Sequence, residues 1–123
     1  MQRFLLSFAA LSGFMSVCLG AFAAHVLKQQ LSADALAIWQ TGVQYQMYHA
    51  LVLLVVALFY SSHRSKTLKL SGLAFILGSC LFSGSLYALA LGAPRGLGII
   101  TPFGGLAFLV GWAALLVVAA RQR

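Results

Sequence analysis

Gln40-Thr41-Gly42-Val43-Gln44-Tyr45-Gln46-Met47-Tyr48-His49 runs directly into Ala50-Leu51-Val52-Leu53-Leu54-Val55-Val56-Ala57-Leu58-Phe59-Tyr60, and the pairing of these two stretches decides the fold. The second stretch suits only hydrocarbon or a protein interior. The first continues the same helix with polar groups that hydrocarbon cannot satisfy. Four apolar runs occur in the chain: Phe4–Ala24, Tyr45–Tyr60, Leu68–Leu91 and Ile99–Ala120. Each reaches or approaches the about 20 residues that a helix needs to cross a ~30 Å hydrocarbon core. Seven of the eight Lys and Arg residues and the one acidic residue, Asp34, lie outside these runs, and the eighth, Lys69, sits at the very start of the third. The expected fold is therefore all-α: a single four-span transmembrane helical bundle over residues 1–123, with spans of about 4–24, 33/45–60, 68–91 and 99/102–120 and short loops.

Composition agrees. Hydrophobic residues make up 62% of the 123 and charged residues 7%, against about a quarter charged in a soluble domain. So little chain is left for connections that no soluble catalytic domain fits, and any function must be built between helices or at their ends. The net charge of +7 is carried by basic residues scattered singly at span ends. That placement is a topology signal rather than a nucleic-acid surface, so no nucleic-acid partner is expected.

Arg3, Arg64, Lys66, Lys69, Arg121 and Arg123 fall on one side of the four spans, and Lys28 and Arg95 on the other. Lys- and Arg-rich short loops stay in the cytoplasm. The expected location is a bacterial inner (plasma) membrane, multi-pass, with both termini cytoplasmic. Arg3 and the later Ala21-Phe22-Ala23 resemble a secretory signal, but the run Phe4–Ala24 exceeds the usual ~7–15-residue signal core. It is read as a retained first span. Cys18 and Cys80 lie inside spans and are read as small apolar residues.

Ser32 reads as the N-cap of the second helix, with Asp34 in its first turn where a negative charge suits the dipole. From Ala33 to Tyr60 that helix would be ~42 Å long, so its first turns, with Trp39, belong in the outer interface or beyond. At about 100° per residue, Gln40, Thr41, Gln44, Tyr45, Gln46, Tyr48 and His49 spread over a wide arc, and only Trp39, Val43, Leu36, Met47 and Ala50 share the apolar remainder. This polar arc is the best candidate site. In the third span Gly72, Ser79, Ser83, Tyr87 and Ala90 share a face, expected to meet the polar part of the second helix; Ser85 lies nearby. Thr101-Pro102 reads as N-cap and first helical residue of the last span.

The segments Gly20-Ala21-Phe22-Ala23-Ala24-His25, Trp39 through Ala50, Phe82-Ser83-Gly84-Ser85-Leu86-Tyr87 and Ile100-Thr101-Pro102-Phe103-Gly104-Gly105 together resemble the YgdD-like family of small bacterial inner-membrane proteins, a domain of unknown function numbered 423. The resemblance covers essentially the whole chain. In the first motif the family pattern runs closer to GAFGAH, and Ala23 stands in place of its glycine. The resemblance implies a four-span protein of about this length and no particular activity.

Three classes of function compete for the polar cluster of Gln40, Thr41, Gln44, Tyr45, Gln46, Tyr48, His49, Ser83, Ser85, Tyr87 and Thr101. The leading reading is structural, lipid-binding or interaction, with interhelical hydrogen bonds locking the second helix against Ser83, Ser85, Tyr87 and Thr101. Membrane lipids are then the expected partners, together with a second copy or a membrane complex to which the chain is accessory. The alternative is a proton, ion or small-solute conduit working as an oligomer through His49, an ionisable group inside a span. Against it, nothing below Ala50 could pass a proton on. His25 with His49 would make a thin metal site, so no metal or cofactor is expected. No enzymatic role is expected either, because Asp34 is the sole carboxylate side chain. On the outer face His25, Asp34 and Arg95 are the remaining candidates, with Asp34 pairing loosely with Lys28 or Arg95. Reporter fusions at the two ends are expected to place both on the cytoplasmic side; ends on opposite faces would overturn the four-span threading.

Overall fold

The computed structural model describes residues 1–122; Arg123, one of the basic residues used above for orientation, lies outside them. Four helices are long and apolar enough to cross a membrane: α1 (Gln2–Gln30), α2 (Ala33–Tyr60), α3 (Lys66–Ala90) and α4 (Arg95–Ala120). They run alternately up and down. Leu5, Val56, Leu68 and Val118 meet in one apolar cluster at the end that carries both termini, here called proximal. Ala23, Leu27, Trp39 and Ala90 meet in a second cluster at the distal end.

The helix ends follow local chemistry. The Ser32 hydroxyl accepts from the Ala35 N–H at 3.1 Å and caps α2. The Ser65 hydroxyl does the same for α3, from the Leu68 N–H at 3.0 Å. α3 stops at Gly92, whose φ of +98° only glycine adopts cheaply. There the Ala93 N–H reaches the Ala88 carbonyl and the Gly92 N–H the Leu89 carbonyl, a Schellman ending followed by Pro94. The last helix differs from expectation. A 3₁₀ turn over Arg95–Ile99 leads straight into the α-helix at Ile100, so Thr101 is not the cap. Its hydroxyl has another partner, described below.

α2 and α3 form the centre, with α1 packed mainly on α2 and α4 mainly on α3. The side of α2 that is buried or partly buried runs Trp39, Gly42, Gln46, His49, Leu53 and Val56. These alternate three- and four-residue steps are the seam of left-handed helix packing. α3 and α4 approach closely because each places glycines opposite the other's aromatic rings. A methyl group at Gly78 would strike the Phe108 ring, one at Gly111 the Phe75 ring, and one at Gly104 the Phe82 backbone. Ser71 adds a bond to the Gly111 carbonyl at 2.9 Å. α1 and α3, by contrast, bring their backbones close chiefly at the proximal end, where Leu5 lies against Gly72. Farther out they diverge.

Two five-residue π-helical turns interrupt the spans, Ala23–Leu27 in α1 and Ser79–Ser83 in α3. Both lie in the distal half, and turns of this kind collect at sites where a helix face must be re-aimed. Gly104→Ala is expected to destabilise the bundle by roughly 1–3 kcal/mol, because the opposing atoms are backbone and cannot rotate away. Gly84→Ala, where an added Cβ meets nothing within 4 Å, is expected to be neutral or mildly stabilising. Reversible SDS unfolding in mixed micelles would compare the two.

Candidate functional site

Within the polar stretch of α2, spacing sorts the side chains into two groups. Gln46 and His49 fall on the seam and turn inward. Gln40, Gln44 and Tyr48 lie on the opposite face and are exposed. The polar arc is thus divided: lipid-intolerant groups stand on both faces of one helix.

Gln46 is the hub of the inward group. Its side-chain N–H donates to the Ser12 carbonyl of α1 at 3.1 Å, and its amide oxygen accepts from the Tyr87 hydroxyl of α3 at 2.5 Å. One turn away, the Ser83 hydroxyl donates to the Gly42 carbonyl at 2.7 Å. Gly42 must be glycine for that approach, since a Cβ there would lie 2.8 Å from the Tyr87 ring. The third-span face of Ser79, Ser83 and Tyr87 therefore meets α2 as its sequence suggests. Ser85 and Thr101 behave differently. They bond to each other at 2.5 Å and tie α3 to α4, not to α2.

His49 is buried, with 5% of its surface exposed. Its Nδ1 lies 2.7 Å from the Tyr45 carbonyl and its Nε2 accepts from the Trp112 indole N–H at 3.2 Å. A carbonyl can only accept and an indole N–H can only donate, so the ring is neutral with its proton on Nδ1. Phe108 stacks on it at 3.6 Å between centroids, nearly parallel at 8°. Both nitrogens and one ring face are thereby committed to packing. Below it the proximal half closes over Leu5, Leu53, Val56, Leu68 and Phe75, all almost fully buried. That packing leaves a conduit through one protomer no polar route towards the proximal end among the described residues.

The remaining expected residues scatter. Tyr45 is partly exposed and packs on Phe82 at 4.6 Å. Thr41 bonds back to the Ala37 carbonyl of its own helix at 3.0 Å. His25, Asp34 and Arg95 are exposed at the distal end, and His25 is not brought to His49. No grouping of three metal-ligating side chains occurs among the described residues. Trp39 departs from its expected place in the lipid interface. It is buried between Phe22 and Tyr87 and donates to the Leu19 carbonyl at 3.1 Å. An indole combines a large apolar body with one donor, so a bundle that offers a carbonyl competes well with the interface.

Where α1 and α3 diverge, the structure opens a lateral cleft of about 200 Å³. Phe8, Met15 and Leu19 form apolar walls, Gln46 and Tyr87 stand at its back, and Ser12, Ser79, Ser83, Cys80 and Gly84 complete it. Ser12 and Ser79 are each more than nine-tenths buried. No side-chain oxygen or nitrogen is sealed away without a partner among the described residues, so these two hydroxyls, which bond to no neighbouring group, keep their oxygens open to the cleft; the Ser12 carbonyl is used twice, by Ser16 and Gln46. Sequence reasoning passed over Ser12 and Trp112. The signal available for Trp112 was a donor placed in mid-span, and for Ser12 its i−4 spacing from Ser16.

A family model described as "Protein of unknown function (DUF423)" matches residues 19–105. The chain is 47% identical over 122 residues to the UPF0382 inner membrane protein YgdD of Escherichia coli K12, covering 99% of this chain and 93% of that protein. It is 48% identical over 115 residues to a UPF0382 membrane protein of Haemophilus influenzae, covering 94% and 92%. A UPF0382 membrane protein of Staphylococcus epidermidis is 45% identical over 108 residues, 88% of each chain. No solved structure matches. The chain belongs to the DUF423 family of membrane proteins and, like its enterobacterial relatives, is an inner-membrane protein.

The bonds of His49 set an expectation. His49→Leu strands the Trp112 donor and should cost roughly 1–3 kcal/mol in SDS unfolding, whereas His49→Gln keeps an acceptor and should lose less. Nitrogen-15 NMR of histidine-labelled protein is expected to show a neutral ring protonated at Nδ1.

Proposed function

We propose that this family member is a non-enzymatic binding module of the inner membrane that holds one neutral, carbonyl-bearing lipid amphiphile in the cleft between α1 and α3. The observation that carries the reading is the cleft itself, whose apolar walls enclose the free hydroxyls of Ser12 and Ser79 beside Gln46. In a membrane no bulk water reaches such groups, so a partner must come from whatever fills the cleft. Ser12, Ser79 and the second N–H of Gln46 can all donate, and Gln46 has its amide oxygen already taken by Tyr87, which suits a ligand that brings acceptor oxygens, such as an ester or ketone, on an apolar tail.

No charged side chain lines the cleft, which favours a neutral group over a phosphate. The non-enzymatic reading is supported by the packing commitments of His49 and by Asp34 lying exposed outside the cleft. An accessory role towards a larger membrane complex remains compatible with the same binding.

Native mass spectrometry of protein released gently from its own membrane provides the test. The wild type is expected to retain a single amphiphile. Ser12→Ala combined with Ser79→Ala should lower retention several-fold with the cleft's shape preserved. Gly84→Leu, placed where the added side chain meets open space, should fill the cleft and abolish retention without loss of stability. Equal retention by wild type and both variants would overturn the reading.

A further inference from the structure

The outward polar group of α2 poses a separate problem. Counting back from Tyr60 the ~20 residues that a span requires places the distal boundary near Gln40. Gln44 and Tyr48 then lie about one and two turns inside hydrocarbon. Both are exposed, Tyr48 by 57%. Neither side chain bonds to another helix among the described residues. Lipid tails offer no partner, so groups placed this way at this depth need protein beside them.

We propose that a second copy of this chain covers them, the two molecules packing α2 against α2 about a two-fold axis along the membrane normal. Three features single out a copy over another partner. The patch carries no charge, so nothing in it selects a charged protein. An amide and a phenol each donate and accept, which makes the patch complementary to itself. A two-fold along the normal also sets Gln44 and Tyr48 of each molecule at the same depth in both, as a lateral partner must.

The neighbouring surface suits close approach. An apolar groove of about 340 Å³ runs beside the stripe, between α1 and α2, and Leu51 belongs to both. A Cβ at Gly13 on its α1 wall would meet nothing within 4 Å, so a partner helix can come near there. This face lies across α2 from the Ser12–Ser79 cleft, and the inference stands on observations independent of lipid binding.

Cysteine cross-linking in native membranes tests it, with Cys18 and Cys80, both exposed, first changed to Ala. Gln44→Cys is expected to give a disulfide-linked dimer of this chain, and Leu77→Cys, on the exposed face of α3, none. In the otherwise wild-type chain, energy transfer between labelled copies in vesicles should show Gln44→Asn retaining association. Gln44→Leu should weaken it by about five- to tenfold, the loss expected for two symmetric intramembrane hydrogen bonds. Absence of the Gln44→Cys dimer, equal linking at position 77, linking to a different protein, or unchanged association of Gln44→Leu would each overturn the proposal.

Discussion

Hydrocarbon supplies no hydrogen bonds, so the polar groups that α2 carries into the bundle must be answered within the protein, by their own backbone or by another helix of the chain. Gln46 meets this demand twice, with α1 through the Ser12 carbonyl and with α3 through Tyr87. His49 meets it with α4 through Trp112. One helix is thereby bonded to all three others within a single turn. Each bond contributes only about 0.6 kcal/mol on average in membranes. Their larger effect is on register: sliding or rotating α2 by one residue would break all of them together, while apolar seam positions such as Leu53 and Val56 would tolerate it far better.

Packing does the remaining work differently in the two halves. Between α3 and α4, glycine faces ring at Gly78–Phe108 and Gly111–Phe75, and backbone at Gly104–Phe82. With lipid giving no hydrophobic drive, such close contact is what holds two helices together. α1 has no equivalent contact with the distal half of α3. Its small residues Ser16 and Gly20 sit against α2 instead, with the Val43 methyl 3.5 Å from where a Gly20 Cβ would lie. The cleft is the space left by that one-sided attachment, and the π-helical turn at Ser79–Ser83 turns serine side chains towards it.

The sequence made the architecture legible because hydropathy, charge placement and helix length are read along one dimension. The α2 boundaries at Ala33 and Tyr60, the Ser32 cap and the inward face of α3 all follow from such local rules. The division of the polar arc was harder. Gln40, Gln44 and Gln46 are chemically alike, and an arc that wide cannot all face inward. What separates them is the seam, legible only by carrying the three- and four-residue steps of Leu53 and Val56 back to His49, Gln46 and Gly42. Partners across the bundle, such as Trp112 for His49 and Ser85 for Thr101, depend on the relative depth of helices far apart in sequence. No pattern along the chain encodes that depth.

α2 thus has two polar faces at the same level of the membrane. The seam binds the bundle together and, through Gln46, backs the Ser12–Ser79 cleft, while the opposite face carries Gln44 and Tyr48. Polarity on both belongs to the distal half, while the proximal half of the same helix is apolar on every side and closed by Leu5, Leu53 and Phe75. A transport path would need polarity at successive depths on one face. This chain instead gathers the polarity of α2 in one stretch, Gln40–His49, and spreads it around the helix, so that no face of α2 carries it onward below Ala50.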